Sequence, residues 1–293
     1  MTNALRGLSL VLGNGKKGPN LGPHDPLDNT DSFSRGWHTP PDISRRVAEW
    51  TNRRGSQLSA RQQAALERYR RDKIFNISHA GKYSEKEFIE AYFDFFDDMF
   101  FGGNLKGYCT IKLLQLPVFF CQARDIYCGH RNCGKSGDTI KTPPSSGFGP
   151  RPRRIPLTIR IWEPNYLSSS QSRRIWKLEV LLHEMVHCIF LLYRCADHNC
   201  KEDMKCFSLL GATGHGACWQ DAAYAVEGAV RDPAFFDLNI ELSRSISLAR
   251  ELNKSGKSVV DVDLWRWAFS ERDMEFRHGK WVGTGRLPIL WST

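Results

Sequence analysis

Apolar residues in the middle of the chain recur at helical spacing. Ile175, Leu178, Leu182, Val186 and Ile189 follow one another at steps of three and four, which predicts a long core-facing helix. Ser168, Ser169 and Ser170 stand just before it as candidate N-caps. A second apolar face, Phe88, Tyr92, Phe95, Phe96 and Met99, opens with Ser84 and Glu87 at capping-box spacing and closes at Gly102-Gly103. A third helix is predicted from about Ala217 to Val230, with Ala222, Ala223, Val226 and Ala229 on its pattern and Asp232-Pro233 as its stop. Strand-like runs span 108–114, 118–127 and 155–162, and the alternation in Thr158-Ile159-Arg160-Ile161-Trp162 sets one face against a core. Between the last two runs, residues 130–152 are rich in Gly, Pro and Ser and read as a flexible excursion at a hairpin tip.

The two ends lack this regularity. Residues 1–82 are expected to be a mostly disordered basic region, because segments such as Gly13 to Pro19 and Thr39-Pro40-Pro41 are full of breakers. Within it, 57–74 has the composition of a basic helix. The folded domain is expected at 83–236, as an α+β unit with a small antiparallel sheet beside helices. An extension, 237–293, follows. Its first part has helical spacing at Leu238, Leu242, Ile246 and Leu248, and its second holds Trp265, Trp267, Phe269, Phe276, Trp281 and Trp291. Packing of these aromatics onto the domain is favoured over stacking on nucleic-acid bases. No run of eighteen apolar residues exists, so no membrane span is expected.

Composition adds three points. A chain of 293 residues with 41% hydrophobic and 12% aromatic residues can bury a real core. Its nine cysteines are odd in number and form no Cys-x-x-Cys pair. With no clear signal peptide, reduced thiols in the nucleus or cytosol are the expectation. The net charge of +9 is uneven: Arg131 to Lys177 holds ten basic residues against two acidic ones. Such a stretch suits a polyanion, and Arg151, Arg153 and Arg154 are its candidate nucleic-acid contacts.

The chemistry lies in the first predicted helix. His183-Glu184-Met185-Val186-His187 places two imidazoles four residues apart on one helical face, where both can bind one zinc ion. Glu184 is then placed to take a proton from water on the metal, the step by which zinc proteases make a nucleophile at neutral pH. A catalytic zinc needs a third protein ligand and an open position. His215, between Gly214 and Gly216 at the start of the third helix, is the first candidate. His198, in Asp197-His198-Asn199-Cys200, is the rival. Cys195, Cys200, Cys206 and His198 together are a weaker candidate for a small structural metal site.

Three segments carry a resemblance to the SprT-like (Spartan-like) zinc metalloprotease family. They are Phe93 to Leu105 with its phenylalanine- and glycine-rich end, Leu181 to His187, and Gly214-His215-Gly216 followed by Trp219. The similarity covers roughly residues 86–232. It implies a zincin-like fold, zinc held by His183, His187 and His215, and Glu184 as catalytic base. It also implies protein substrates, including proteins bound or crosslinked to DNA, and a nuclear role in DNA repair. Two rival expectations are a nucleic-acid-binding module of the same fold with little peptidase activity, and a metallopeptidase unrelated to DNA.

Overall fold

The computed structural model describes residues 33, 38–78, 82–115, 137–141, 157–163, 167, 169–195, 209–258, 261–270, 273–277 and 279–283. The chain mixes helices with two small sheets, an α+β arrangement. In order come α1 (Pro40–Asn52), α2 (Ala60–Arg71), α3 (Glu85–Phe100), β1 (Cys109–Gln115), β2 (Gly137–Lys141), β3 (Leu157–Glu163), α4 (Ser170–Tyr193), α5 (Ala217–Val230), α6 (Arg244–Ser255), β4 (Met274–Arg277) and β5 (Lys280–Gly283).

Helix α1 corrects the expectation of disorder over this part of 1–82. The Thr39-Pro40-Pro41 sequence acts as a helix start, not a breaker: the Thr39 side chain accepts from the Asp42 amide, and proline fits the first helical positions because it lacks only an N–H that would go unbonded there. Ile43, Val47 and Trp50 then form a buried stripe that packs against α5 and α3. The helix predicted over 57–74 is present as α2, with Ser59 and Gln62 closing a capping box. Gln62 also donates from its amide to the carbonyls of Trp50 and Met99, which ties α1, α2 and α3 together.

Helix α3 begins as its sequence predicts, with Ser84 and Glu87 exchanging capping bonds. The turn after it is held by buried Asp97, whose carboxylate accepts from the amides of Leu105 and Lys106. The Tyr193 hydroxyl donates to the Asn104 carbonyl at 2.6 Å and pins this turn to the end of α4. Tyr69, Phe75, Tyr92, Phe95 and Phe236 pack ring on ring beside it, offset or edge to face.

The three-stranded sheet has the order β1-β3-β2. It is mixed, not antiparallel as expected. β3 runs parallel to β1 in the register Cys109 with Leu157, and antiparallel to β2 in the register Asp138 with Arg160. Strand order and direction depend on which edges meet in space, and local alternation carries no information about that. β2 also corrects the reading of 130–152 as wholly excursion, since 137–141 is an edge strand fixed across the pair by the Asp138–Arg160 ion pair. The strand expected at 118–127 lies outside the described residues.

Helix α4 packs against β2 and β3 and is buried well beyond one stripe. Leu178, Leu181, Leu182, Met185, Val186, Cys188 and Ile189 are all fully enclosed. Buried Leu157, Ile159 and Ile161 of β3 join the same core. The helix starts at Ser169, whose hydroxyl accepts from the Ser172 amide.

The extension packs on this body. Residues 238–243 run without helix, with Leu238, Ile240 and Leu242 buried, and helix begins only at Arg244, later than the apolar spacing suggests. Ser243 in the left-handed region marks the break. A second, smaller core gathers Leu248, Leu252, Trp267, Phe269 and Met274 against Tyr224 of α5 and Trp281 of β5. Trp267, Phe269 and Trp281 are therefore packed, as favoured from sequence, while Trp265 stays exposed. No helix among the described residues is long and apolar enough to cross a membrane.

Candidate metal centre

The sequence-derived candidates His183, His187 and His215 converge. Their Nε2 atoms form a triangle with sides of 3.1, 3.3 and 3.0 Å. The two helical rings come together because α4 is regular at 183–187, so an i, i+4 pair shares a face. His215 arrives from the residue before the N-cap of α5. The flanking glycines serve as expected: Gly214 adopts a φ of +83°, and a Cβ on Gly216 would collide with the backbone of 209–211.

Hydrogen bonds fix which nitrogen of two rings carries the proton. His183 Nδ1 lies 2.9 Å from the Leu242 carbonyl, which can only accept, so Nδ1 is the protonated nitrogen. His215 Nδ1 lies 3.0 Å from the Thr213 hydroxyl. That hydroxyl spends its one proton on the Glu251 carboxylate, so its oxygen accepts from His215 Nδ1–H. Both rings thus turn a bare Nε2 lone pair inward, 3.1 Å apart. Two acceptors at that distance repel; a metal ion among the three rings would meet both lone pairs at once, whereas an Nε2–H on His187 could donate fully to only one of them.

A shared proton is a poor cation here. Burial lowers the pKa of His183 to about 4, against the helpful bond to Leu242. Burial likewise holds His187 and His215 well below the usual histidine value, and mutual repulsion among the rings adds to it. The rings are therefore neutral at pH 7, the form that binds metal. Three imidazoles on one tetrahedral zinc, at about 2.0–2.1 Å each, hold their nitrogens about 3.3 Å apart. The triangle fits that figure, so the donor set suits the zinc that the sequence resemblance implies.

Trp219 is fully buried and packs on all three rings, with centroids 4.7 Å from His183, 5.5 Å from His187 and 4.7 Å from His215. Glu184 is buried beside the triad, and its Oε2 accepts from the Thr139 hydroxyl at 2.9 Å. Thr139 also reaches Cys188 Sγ at 3.7 Å, so β2 is latched to the face of α4 that carries the glutamate.

Sequence reasoning missed Thr139, Thr213, Glu251 and the Leu242 carbonyl. Thr213 stands two residues before His215 and was within reach of local reading; the other three lie far off in sequence. His198, Cys200 and Cys206 lie outside the described residues, as do Arg151, Arg153 and Arg154. Four members of the basic stretch are engaged internally. Arg160 pairs with Asp138, Arg173 donates to the Leu167 carbonyl, and Arg174 and Lys177 are buried against Glu85.

Comparison with protein-family models, with curated proteins and with solved structures finds no match to this chain.

Proposed function

We propose that this chain is a zinc-dependent metalloendopeptidase of the SprT-like type. The observation that carries the reading is the triangle of neutral, inward-facing Nε2 atoms with Glu184 one residue from the first ligand. Helix α4 and the loop that leads into α5 carry the ligands beside a small sheet, which agrees with a zincin-like layout. Zinc bound there would supply Lewis acidity, the chemistry that activates a peptide carbonyl and water near neutral pH. His183, His187 and His215 would hold the ion through Nε2. Glu184 accepts the proton of the attacking water on a carboxylate oxygen and returns it to the leaving amine. Thr139 donates to Oε2 of that carboxylate and restrains its rotation. The indole of Trp219 excludes water from the inner side of the rings.

The substrate in this reading is protein, including protein attached to DNA in the nucleus. The DNA partner rests on the positive excess of residues 131–177. Because Arg160, Arg173, Arg174 and Lys177 are engaged within the fold, phosphate contact falls to the remaining basic residues, with Arg151, Arg153 and Arg154 the first choice.

One experiment tests the whole reading. The purified chain is assayed for zinc content and for cleavage of histones and of itself, with and without single-stranded DNA. Zinc near one per chain is expected, and Glu184→Gln should keep it while cleavage falls by about a hundredfold or more. Near-normal turnover in that variant removes the mechanism. Changing Arg151, Arg153 and Arg154 together to Glu should weaken DNA binding and flatten its salt dependence, because fewer counterions are released. Cleavage indifferent to DNA and to that change would leave a peptidase unrelated to DNA.

A further inference from the structure

We infer that Glu251, on α6, is a positioning residue for the third metal ligand and that it acts through Thr213. The inference rests on the metal reading above and deepens it.

Glu251 is buried at 6% exposure, and its carboxylate is spent entirely on the loop that ends in His215. Oε1 accepts from the Ala212 amide at 2.6 Å. Oε2 accepts from the Thr213 amide at 2.7 Å and from the Thr213 hydroxyl at 2.6 Å. A carboxylate has no proton to give, so the direction of the chain is set: His215 Nδ1–H donates to Thr213, and Thr213 donates to Glu251. The negative end draws density through the hydroxyl onto the ring and raises the basicity of Nε2. A partner of this kind fixes tautomer and ring orientation at metal sites. Gly211 leaves the approach open, since a Cβ there would collide with the Glu251 carboxylate. The two amide bonds place the loop; the hydroxyl link alone reaches the ligand.

That division makes the test. Thr213→Val removes the hydroxyl link and keeps both amide bonds, whereas Thr213→Ser restores the hydroxyl. Each full-length variant, with Glu251→Gln alongside, is measured for zinc affinity by chelator competition, for the visible absorption of its cobalt(II) form, and for the melting temperature of its metal-free form. Thr213→Val and Glu251→Gln should bind zinc about 10–100-fold more weakly than the parent. Their cobalt spectra should shift, and Thr213→Ser should match the parent. If Thr213→Val binds zinc as tightly as the parent, or if Ser fails to restore binding, the inference is overturned while the metal reading stands. A loss of melting temperature alone, with affinity unchanged, assigns Glu251 to the loop only and also overturns it. A parent chain that binds no zinc brings down both.

Discussion

The two halves of the candidate metal centre are built by different means. His183, Glu184 and His187 sit on α4, a helix enclosed on most sides by Leu178, Leu181, Leu182, Met185 and Val186. Their relative positions come from the helical repeat, and the repeat is held by apolar packing. His215 sits at the end of a loop, and nothing periodic places it. Its position comes from directed polar contacts: Gly216 N to the Leu210 carbonyl at 2.7 Å, and three bonds onto Glu251 from a separate helix. The backbone of the helical half fails with the core. The loop half can fail alone, because a few hydrogen bonds are worth about 1 kcal/mol each, with those to a charged group at the upper end. In a centre of this kind, the ligand added from the loop is the one whose place is open to adjustment.

Disturbing the core beneath the helical half should give the largest effect. Leu182 is fully buried one residue before His183, and Leu182→Ala should cost about 2–5 kcal/mol of global stability through the cavity it leaves. Urea unfolding of the metal-free protein measures this. A loss below about 1 kcal/mol would show that the core around α4 is not what holds these two ligands.

A smaller effect is expected from Glu179, one turn before His183. Burial, with help from the nearby Glu241 and Glu227 carboxylates, raises its pKa to about 8, while the Glu241 amide donating to it opposes the rise. The unfolded chain releases this proton near pH 4.5 and the folded chain holds it to about pH 8. Over that window the folded state binds more protons, so this group costs stability as pH rises and has no further effect above about 8. Glu179→Gln should therefore match the parent at pH 4 and exceed it at pH 9 by about 1–4 kcal/mol. A difference independent of pH would remove Glu179 from the account.

The smallest effect belongs to the cap. Ser169→Ala removes the bond to the Ser172 amide and should cost about 1 kcal/mol, seen as a small drop in the unfolding midpoint with zinc affinity unchanged. A change in zinc affinity here would couple the far end of α4 to the ligands and blur the contrast between the halves.

The same contrast sets what the sequence could reveal. His183, His187 and the helices around them were legible because periodicity and caps are local: Ser84 with Glu87, and serine before α4, stand where the structure uses them. His215 was legible through its glycines. Thr139, the Leu242 carbonyl and Glu251 were not, because each meets its partner across tens of residues and carries no local mark. Helix α1 was misread for a different reason. Proline disrupts a helix interior and favours its first turn, and Pro40-Pro41 reads as either until Ile43, Val47 and Trp50 are weighed as a stripe. The parallel pairing of β1 with β3 joins residues about fifty apart, and neither strand's alternation names its neighbour.

Helix α1 also sets an order of events in time. It is made early, yet its most extensive partner is α5, whose last residue, Val230, follows Trp50 by 180 positions. At the roughly 5–20 residues per second of protein synthesis, about 10–35 seconds separate the two. Throughout that interval the Ile43, Val47 and Trp50 face lacks its main cover. His38, bonded through its backbone to Tyr193 and Cys195, likewise waits for the end of α4. The nascent chain therefore carries an uncovered apolar face past the exit tunnel until α5 has been made. The centre cannot close until the later helices reach back to it.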